Sequence, residues 1–270
     1  MIDFKRLTQH TFNYNLHTHT PYCDGRASIE AFVTEAIARG YKYLGFTPHS
    51  PIPFESSCNM AAEKVDEYLG EIARLRAIYG QQLHIYAGME IDYTGDWGPT
   101  AGYFGSVPLD YSIGSVHFIP SFSHEGEMVD IDGRYENFKI KMGEHFGGDI
   151  EAVARMFFKQ MLSMVESGGF DIVGHLDKIG YNASCYRPGI DREPWYETLV
   201  VELIDAIMDI GYVIEINTKA WETKHRFFPH ERYFARLKRY GAPIVINSDA
   251  HEPALLSAGR DTARNLWLKA

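Results

Sequence analysis

The chain has 270 residues, 45% of them hydrophobic and 23% charged, the composition of an ordinary globular protein. Its formal net charge of −10 argues against nonspecific attraction to nucleic acid or to an anionic membrane, so an anionic ligand would need cations placed locally. The opening MIDFKRLTQH lacks the apolar segment of a signal peptide, and no run of about 18 apolar residues occurs, so a cytoplasmic protein is expected.

Three cysteines, Cys23, Cys58 and Cys185, show no CxxC spacing, which argues against a disulfide framework or a zinc knuckle. Nothing in the sequence sets an oligomeric state.

In chain order, the aromatic run FNYNL reads as a first strand and leads into HTHTPYCDG, where His17 and His19 stand two apart with Asp24 close behind. Residues two apart in extended chain share a face. Taken alone, such a pair is more often a surface stripe than a metal site.

Ser28 is suited to an N-cap; Ile29, Phe32, Val33, Ala36 and Ile37 follow on one helical face, and Gly40 ends the helix. The strand YLGFT then leads to His49. A second helix with Val65, Tyr68, Leu69, Ile72 and Leu75 on its apolar face stops at Gly80, and LHIYAG leads to Glu90. After a Gly- and Pro-bearing connection, residues 94–108, the strand DYSIGSV leads to His117 with no obvious helix before it.

Residues 120–149 form an insertion, expected to be either a substrate-facing lid or a plain surface excursion with a short helix. The helix–glycine–strand pattern then resumes. Ile150, Val153, Ala154, Phe157 and Met161 share a helical face ending near Gly168, and FDIVG delivers His175. Residues 195–210 form a helix before Gly211, and YVIEI leads to Asn217. A helix over 231–240 ends at Gly241, and APIVI leads to Asp249 and His251.

Helices alternating with seven strands too apolar to be half exposed predict a parallel sheet covered by helices, within a single domain spanning 1–270. An open sheet would scatter the strand ends along a line. A closed barrel would gather His17, His19, Asp24, His49, Glu90, His117, His175, Asp249 and His251 into one crater. Imidazole and carboxylate without thiolate suit zinc, manganese or iron, and so many ligands imply two or three divalent ions, with a carboxylate such as Glu90 between two of them.

As an ordered set, HTHTPYCDG, GFTPHSP, AGMEIDY, IGSVHF, VGHLDKI, IEINT and INSDAHEP resemble the motifs of the PHP (polymerase and histidinol phosphatase) family, in particular its histidinol-phosphate phosphatases. The resemblance covers roughly residues 12–255. It implies an α/β fold, a distorted (β/α)7 TIM-like barrel of the PHP type, with a trinuclear centre and hydrolysis of a small-molecule phosphate ester by a metal-bound hydroxide.

By motif, the first ion takes His17, His19, Glu90 and Asp249; the second shares Glu90 and adds His117 and His175; the third is held by Asp24, His49 and His251. Pro48 departs from the family, whose members commonly place an acidic residue there. The catalytic set expected is Asp24, Glu90, Asp249 and His251, with Asp24, His251 and His225 as groups able to protonate a leaving alkoxide.

Phosphate oxygens turned away from the metals need Arg or Lys. Arg226 is the preferred choice, with Lys178, Arg187 and Lys219 as alternatives. The resemblance implies L-histidinol phosphate as substrate, the acidic and aromatic groups Glu55, Glu125, Glu127, Trp221 and Glu222 being suited to its cationic leaving group. The alternatives are a phosphoesterase acting on a phosphotyrosine protein or a nucleotide, and a metal-binding domain without catalysis.

Overall fold

The computed structural model describes residues 2–270. Nine strands form in chain order: β1 (Tyr14–Asn15), β2 (Tyr43–Phe46), β3 (His84–Asp92), β4 (Tyr111–Ser115), β5 (Phe118–Pro120), β6 (Met128–Asp130), β7 (Ile172–Val173), β8 (Val213–Asn217) and β9 (Ile244–Asn247). Seven of them make one parallel sheet in the order β1-β2-β3-β4-β7-β8-β9, while β5 and β6 pair as an antiparallel hairpin.

The sheet closes on itself almost completely. Between β1 and β9 the seam is held by a parallel bridge from Thr18 to Ala250, with His19 N donating to Ala250 O at 2.9 Å. Below it, side chains replace missing ladder bonds: Leu16 N donates to Asn247 Oδ1 and Ile246 N donates to Tyr14 Oη, both at 2.9 Å. The barrel expected from the strand-end residues is therefore present, and strand ends from all around the ring meet at one mouth.

Ten helices surround this barrel: α1 (Phe4–His10), α2 (Ile29–Ala38), α3 (Val65–Tyr79), α4 (Tyr135–Phe146), α5 (Ile150–Ser167), α6 (Ile179–Tyr186), α7 (Pro194–Ile210), α8 (Trp221–Lys224), α9 (Phe234–Arg239) and α10 (Arg260–Lys269). Ser28 caps α2 as expected, its hydroxyl accepting from Ala31 N. On α3, buried Tyr68 reaches the barrel wall, with Oη 2.9 and 2.8 Å from the carbonyls of Phe46 and Gly88. None of the described helices is long and apolar enough to cross a membrane.

Inside the barrel, Tyr111 crosses the lumen and donates to Leu16 O at 2.6 Å. A Cβ at Gly88 would come within 2.8 Å of its ring, and one at Gly45 would meet its hydroxyl, so both glycines leave room for this tyrosine. Phe4 and Leu7 of α1 pack against Tyr14, Tyr111, Ile172 and Val245, covering the end where the strands begin. The opposite end, where the strands finish, stays open to chemistry.

Two features differ from expectation. β3 continues through Glu90 to Asp92, so Glu90 lies on the strand rather than beyond it. The insertion is also more ordered than an excursion with a short helix: α4 buries Phe138, Met142 and Phe146 in the cluster shared with α5, α6 and α7. Gln160 of α5 donates from Nε2 to the carbonyls of Tyr93 and Phe118, both at 2.7 Å, and so ties the hairpin to the barrel.

Candidate metal centre

Each strand of the barrel ends in a residue of the site or in one that holds it. His17 and His19 follow β1, His49 follows β2, Glu90 lies on β3, His117 follows β4, His175 follows β7, and Asp249 and His251 follow β9. Asp249 has a left-handed backbone at φ +50°, a conformation Asp tolerates better than most residues and one that fixes its carboxylate toward the crater.

The side chains converge. Glu90 stands at the centre: Oε2 is 3.3 Å from His17 Nε2, 3.5 Å from His19 Nε2 and 3.2 Å from His49 Nδ1. Its Oε1 lies 2.9 Å from His175 Nε2 and 3.5 Å from His117 Nε2, and accepts from Ser115 Oγ at 2.7 Å. Asp249 Oδ1 is 3.0 Å from His19 Nε2, while Asp24 Oδ2 is 3.1 Å from His251 Nε2.

Three groups, two of them sharing His19, have donor atoms close enough to hold an ion: His17, His19 and Asp249; Glu90, His117 and His175; and His19, Asp24, His49 and His251. A further group, His49, Asp92 and His117, adds a carboxylate not singled out from the sequence. The clusters can thus hold two or three divalent ions.

Several observations fit a metal rather than a set of internal hydrogen bonds. His49 Nδ1 and Asp24 Oδ1 are buried without a hydrogen-bond partner of good geometry. The imidazoles present ring nitrogens to one another, His17 Nε2 to His19 Nε2 at 3.3 Å and His117 Nε2 to His175 Nε2 at 3.1 Å, an arrangement in which protonated rings would repel. A cation between them removes that conflict.

Carboxylates behind the rings fix which nitrogen faces inward. Glu215, wholly buried, lies 2.7 Å from His17 Nδ1; as an ionised acceptor it requires the ring proton there, leaving Nε2 for the crater. The same carboxylate accepts from Asn217 Nδ2, Asn247 Nδ2 and His175 N. Asp92 Oδ1 does the equivalent for His117, 2.6 Å from its Nδ1, and Asn59 Nδ2 donates to Asp92 Oδ2 at 2.7 Å.

The field of the cluster shows in its proton affinities. Burial by itself lowers the His17 pKa, yet Glu215, Glu90 and Asp249 outweigh it and push the ring up to about 10. His117 likewise rises to about 9, burial being overcome by Asp92 and Glu90. Burial, reinforced by Lys219 and His19, lowers His251 to about 4.

The basic residues separate into two groups. Lys178 Nζ is 3.2 Å from Asp132 and 3.8 Å from Asp249 Oδ2, and Lys219 Nζ is 3.2 Å from Asp249 Oδ1, so both reach the ligand cluster. Arg226 is buried against Asp177 and Asp191, its NH1 donating to Asp191 at 2.8 Å. Arg187 pairs with Glu193 at 2.9 Å and Glu151 at 3.8 Å, and does not join the cluster.

Beside the cluster opens a cavity of about 540 Å3, lined by Asp24, Asp249 and His251 on one side and by Asp132, Tyr135, Lys178, Tyr181, Lys219, Glu222 and Phe228 on the others. Of the acidic and aromatic groups expected around the mouth, Glu222 lines it. Trp221 instead stacks on Phe227 at 4.4 Å, and Glu127 faces His124 and His145.

Asp92, Glu215 and Asp132 were not anticipated. The first two had a signal: Asp92 is two residues from Glu90 and Glu215 two from Asn217, so each shares a strand face with a residue already suspected.

Residues 15–219 match the PHP domain family. The chain belongs to that family. This PHP chain is 27% identical over 252 residues to the probable histidinol-phosphatase of Deinococcus radiodurans, covering 88% of this chain and 85% of that one. It is 26% identical over 254 residues to the histidinol-phosphatase of Bacillus subtilis, covering 87% and 92%. The crystal structure of histidinol phosphate phosphatase from Lactococcus lactis, in complex with zinc, L-histidinol and phosphate, shares the PHP fold at a TM-score of 0.72, with 23% identity and coverage of 95% of this chain and 92% of that one.

Proposed function

We propose that this PHP chain is a cytoplasmic, metal-dependent phosphomonoesterase, one catalytic unit over 1–270, that hydrolyses L-histidinol phosphate to L-histidinol and phosphate. The observation that carries the proposal is the convergence on Glu90 of five imidazoles from four strand ends, beside a cavity that brings acidic and aromatic groups together with Lys178 and Lys219. Relatives named as histidinol-phosphatases along nearly the whole chain support the substrate.

In this assignment His17, His19, Glu90 and Asp249 hold one ion, Glu90, His117 and His175 a second, and Asp24, His49 and His251 a third. Bound divalent ions supply two things: they screen the phosphate dianion and lower the pKa of water to about 7. The protein supplies the rest. Glu215 and Asp92 hold His17 and His117 in the ligating tautomer, which commonly tunes metal affinity by 10–100-fold. Lys178 and Lys219, rather than Arg226 or Arg187, offer ammonium donors to phosphate oxygens at the cavity, with Asp132 positioning Lys178.

At neutral pH His251 is uncharged, and Asp24 is ionised because its contacts with His19 and His251 overcome burial. Both are assigned to ligation because their donor atoms share a cluster with His19 and His49, and the leaving alkoxide takes its proton from water in the open cavity. Asp132, Glu222 and the rings of Tyr135, Tyr181 and Phe228 are suited to an ammonium and an imidazole.

Phosphate release should be followed across a panel. L-histidinol phosphate should show at least tenfold higher kcat/KM than p-nitrophenyl phosphate or a sugar phosphate, about 1.4 kcal/mol in transition-state binding. Equal efficiencies, or a preference for phosphotyrosine, would leave the metal centre standing and reject the substrate.

A further inference from the structure

A second group of metal-competent side chains lies outside the barrel mouth and shares no residue with the clusters there: His124, Glu127 and His145. All three belong to the insertion. His124 and Glu127 sit in the turn between β5 and β6, and His145 in the last turn of α4.

Their arrangement is built by the backbone as well as by charge. Phe122 N and Ser123 N both donate to His145 O, at 2.9 and 3.2 Å, pinning the turn onto the end of α4. Ser121 N donates to Glu127 O at 2.8 Å, closing the turn, and Ser121 Oγ accepts from His124 N at 3.1 Å. The ring of Phe122 packs edge-on against Phe146, with centroids 5.1 Å apart. These bonds hold the three Cα positions whatever the side chains do.

We propose that His124, Glu127 and His145 bind a divalent cation of the zinc class. Two imidazoles and one carboxylate make a zinc ligand set, with a fourth position left to water. Glu127 uses one oxygen toward each ring: Oε2 is 3.7 Å from His124 Nδ1 and Oε1 is 3.8 Å from His145 Nδ1. The three donor atoms lie within 4.8 Å of one another. Ligands about 2.0–2.1 Å from a tetrahedral ion stand roughly 3.4 Å apart, so side-chain movements of up to about 1.4 Å complete the geometry.

His124 is 56% exposed and Glu127 48%, so an ion can enter without any opening of the fold. Binding would staple the hairpin turn to α4. The polypeptide between them includes Asp132 and Tyr135, which line the mouth cavity, so the ion would order the segment that carries them.

The test compares Zn2+ stoichiometry of the whole protein, by equilibrium dialysis and elemental analysis, with that of His124→Ala/His145→Ala and of Glu127→Gln. The glutamine keeps the backbone bond from Ser121 and threatens folding least. The wild type should hold one equivalent more than the double variant, and Glu127→Gln should bind that equivalent at least tenfold more weakly. Proteolysis within 121–127 should slow with Zn2+ in the wild type alone. Retention of the extra equivalent at unchanged affinity by either variant overturns the proposal, whatever the substrate of the mouth proves to be.

Discussion

Glu215 and Asp249 act on neighbouring imidazoles from opposite sides. Glu215 accepts a hydrogen bond from the outer N–H of His17, and Asp249 meets His19 from within, held there by a left-handed backbone and by Asn217 Nδ2 donating to its Oδ2 at 3.1 Å. If Asp249 ligates, Asp249→Ala should leave a folded barrel with less bound metal and hydrolysis lowered by two or more orders of magnitude; unchanged metal content and turnover would remove it from the site. The ring proton affinities give a second expectation. His17 and His117 bind protons up to about 10 and about 9 in the metal-free protein, and a group with a raised pKa is protonated below that value, so each entering ion must expel protons. Metal affinity should therefore rise as pH goes from 7 toward 9, with protons released in calorimetry whose heat depends on the buffer. Affinity flat across that range would contradict the assignment of these two rings. His251, already neutral near pH 7, adds nothing to this slope.

Among the elements, the insertion behaves least like its sequence. As a long insertion with aromatic and acidic groups directly after His117, it was expected to be a lid or an excursion, yet α4 contributes three buried side chains to the largest apolar cluster. The reason is tertiary: α4 needs only Phe138, Met142 and Phe146 to face α5 and α6, a stripe too narrow to stand out in a stretch of twelve residues. Phe138 is fully buried, so Phe138→Ala should cost about 3–5 kcal/mol in urea unfolding at fixed metal concentration. A loss under about 1 kcal/mol, the scale of a surface change, would mean that α4 is a detachable lid and not part of the core. The strands were more legible, because helix, glycine and apolar run recur in fixed order, and each run ends in a residue of unusual chemistry. Where β1 is only two residues long, side chains from Tyr14 and Asn247 complete the seam, which no strand pattern announces.

For the whole molecule, barrel closure is what converts a list of scattered residues into a site. His17 and Glu215 are separated by 198 residues and His117 and His175 by 58, and they meet because the ring brings strand ends to one mouth. The nine residues that meet at the mouth were legible in sequence because each stands at or near the finish of an apolar strand. Arg226 could not be judged that way: its place after Asn217 suggested the mouth, whereas the buried carboxylates Asp177 and Asp191 hold its guanidinium. Asp132 was hidden for the opposite reason, since it comes from the insertion, between β6 and α4, and not from the end of a barrel strand. Hydrolysis of L-histidinol phosphate at this mouth, as proposed, depends on bound divalent ions. Its most direct test is to strip the protein with chelator, return Zn2+ or Mn2+ in steps, and measure bound metal and phosphate release from L-histidinol phosphate in the same samples. Release should be absent in the stripped protein and rise only as the mouth fills with at least two ions. Full turnover without metal, or none when the mouth is loaded, would contradict it.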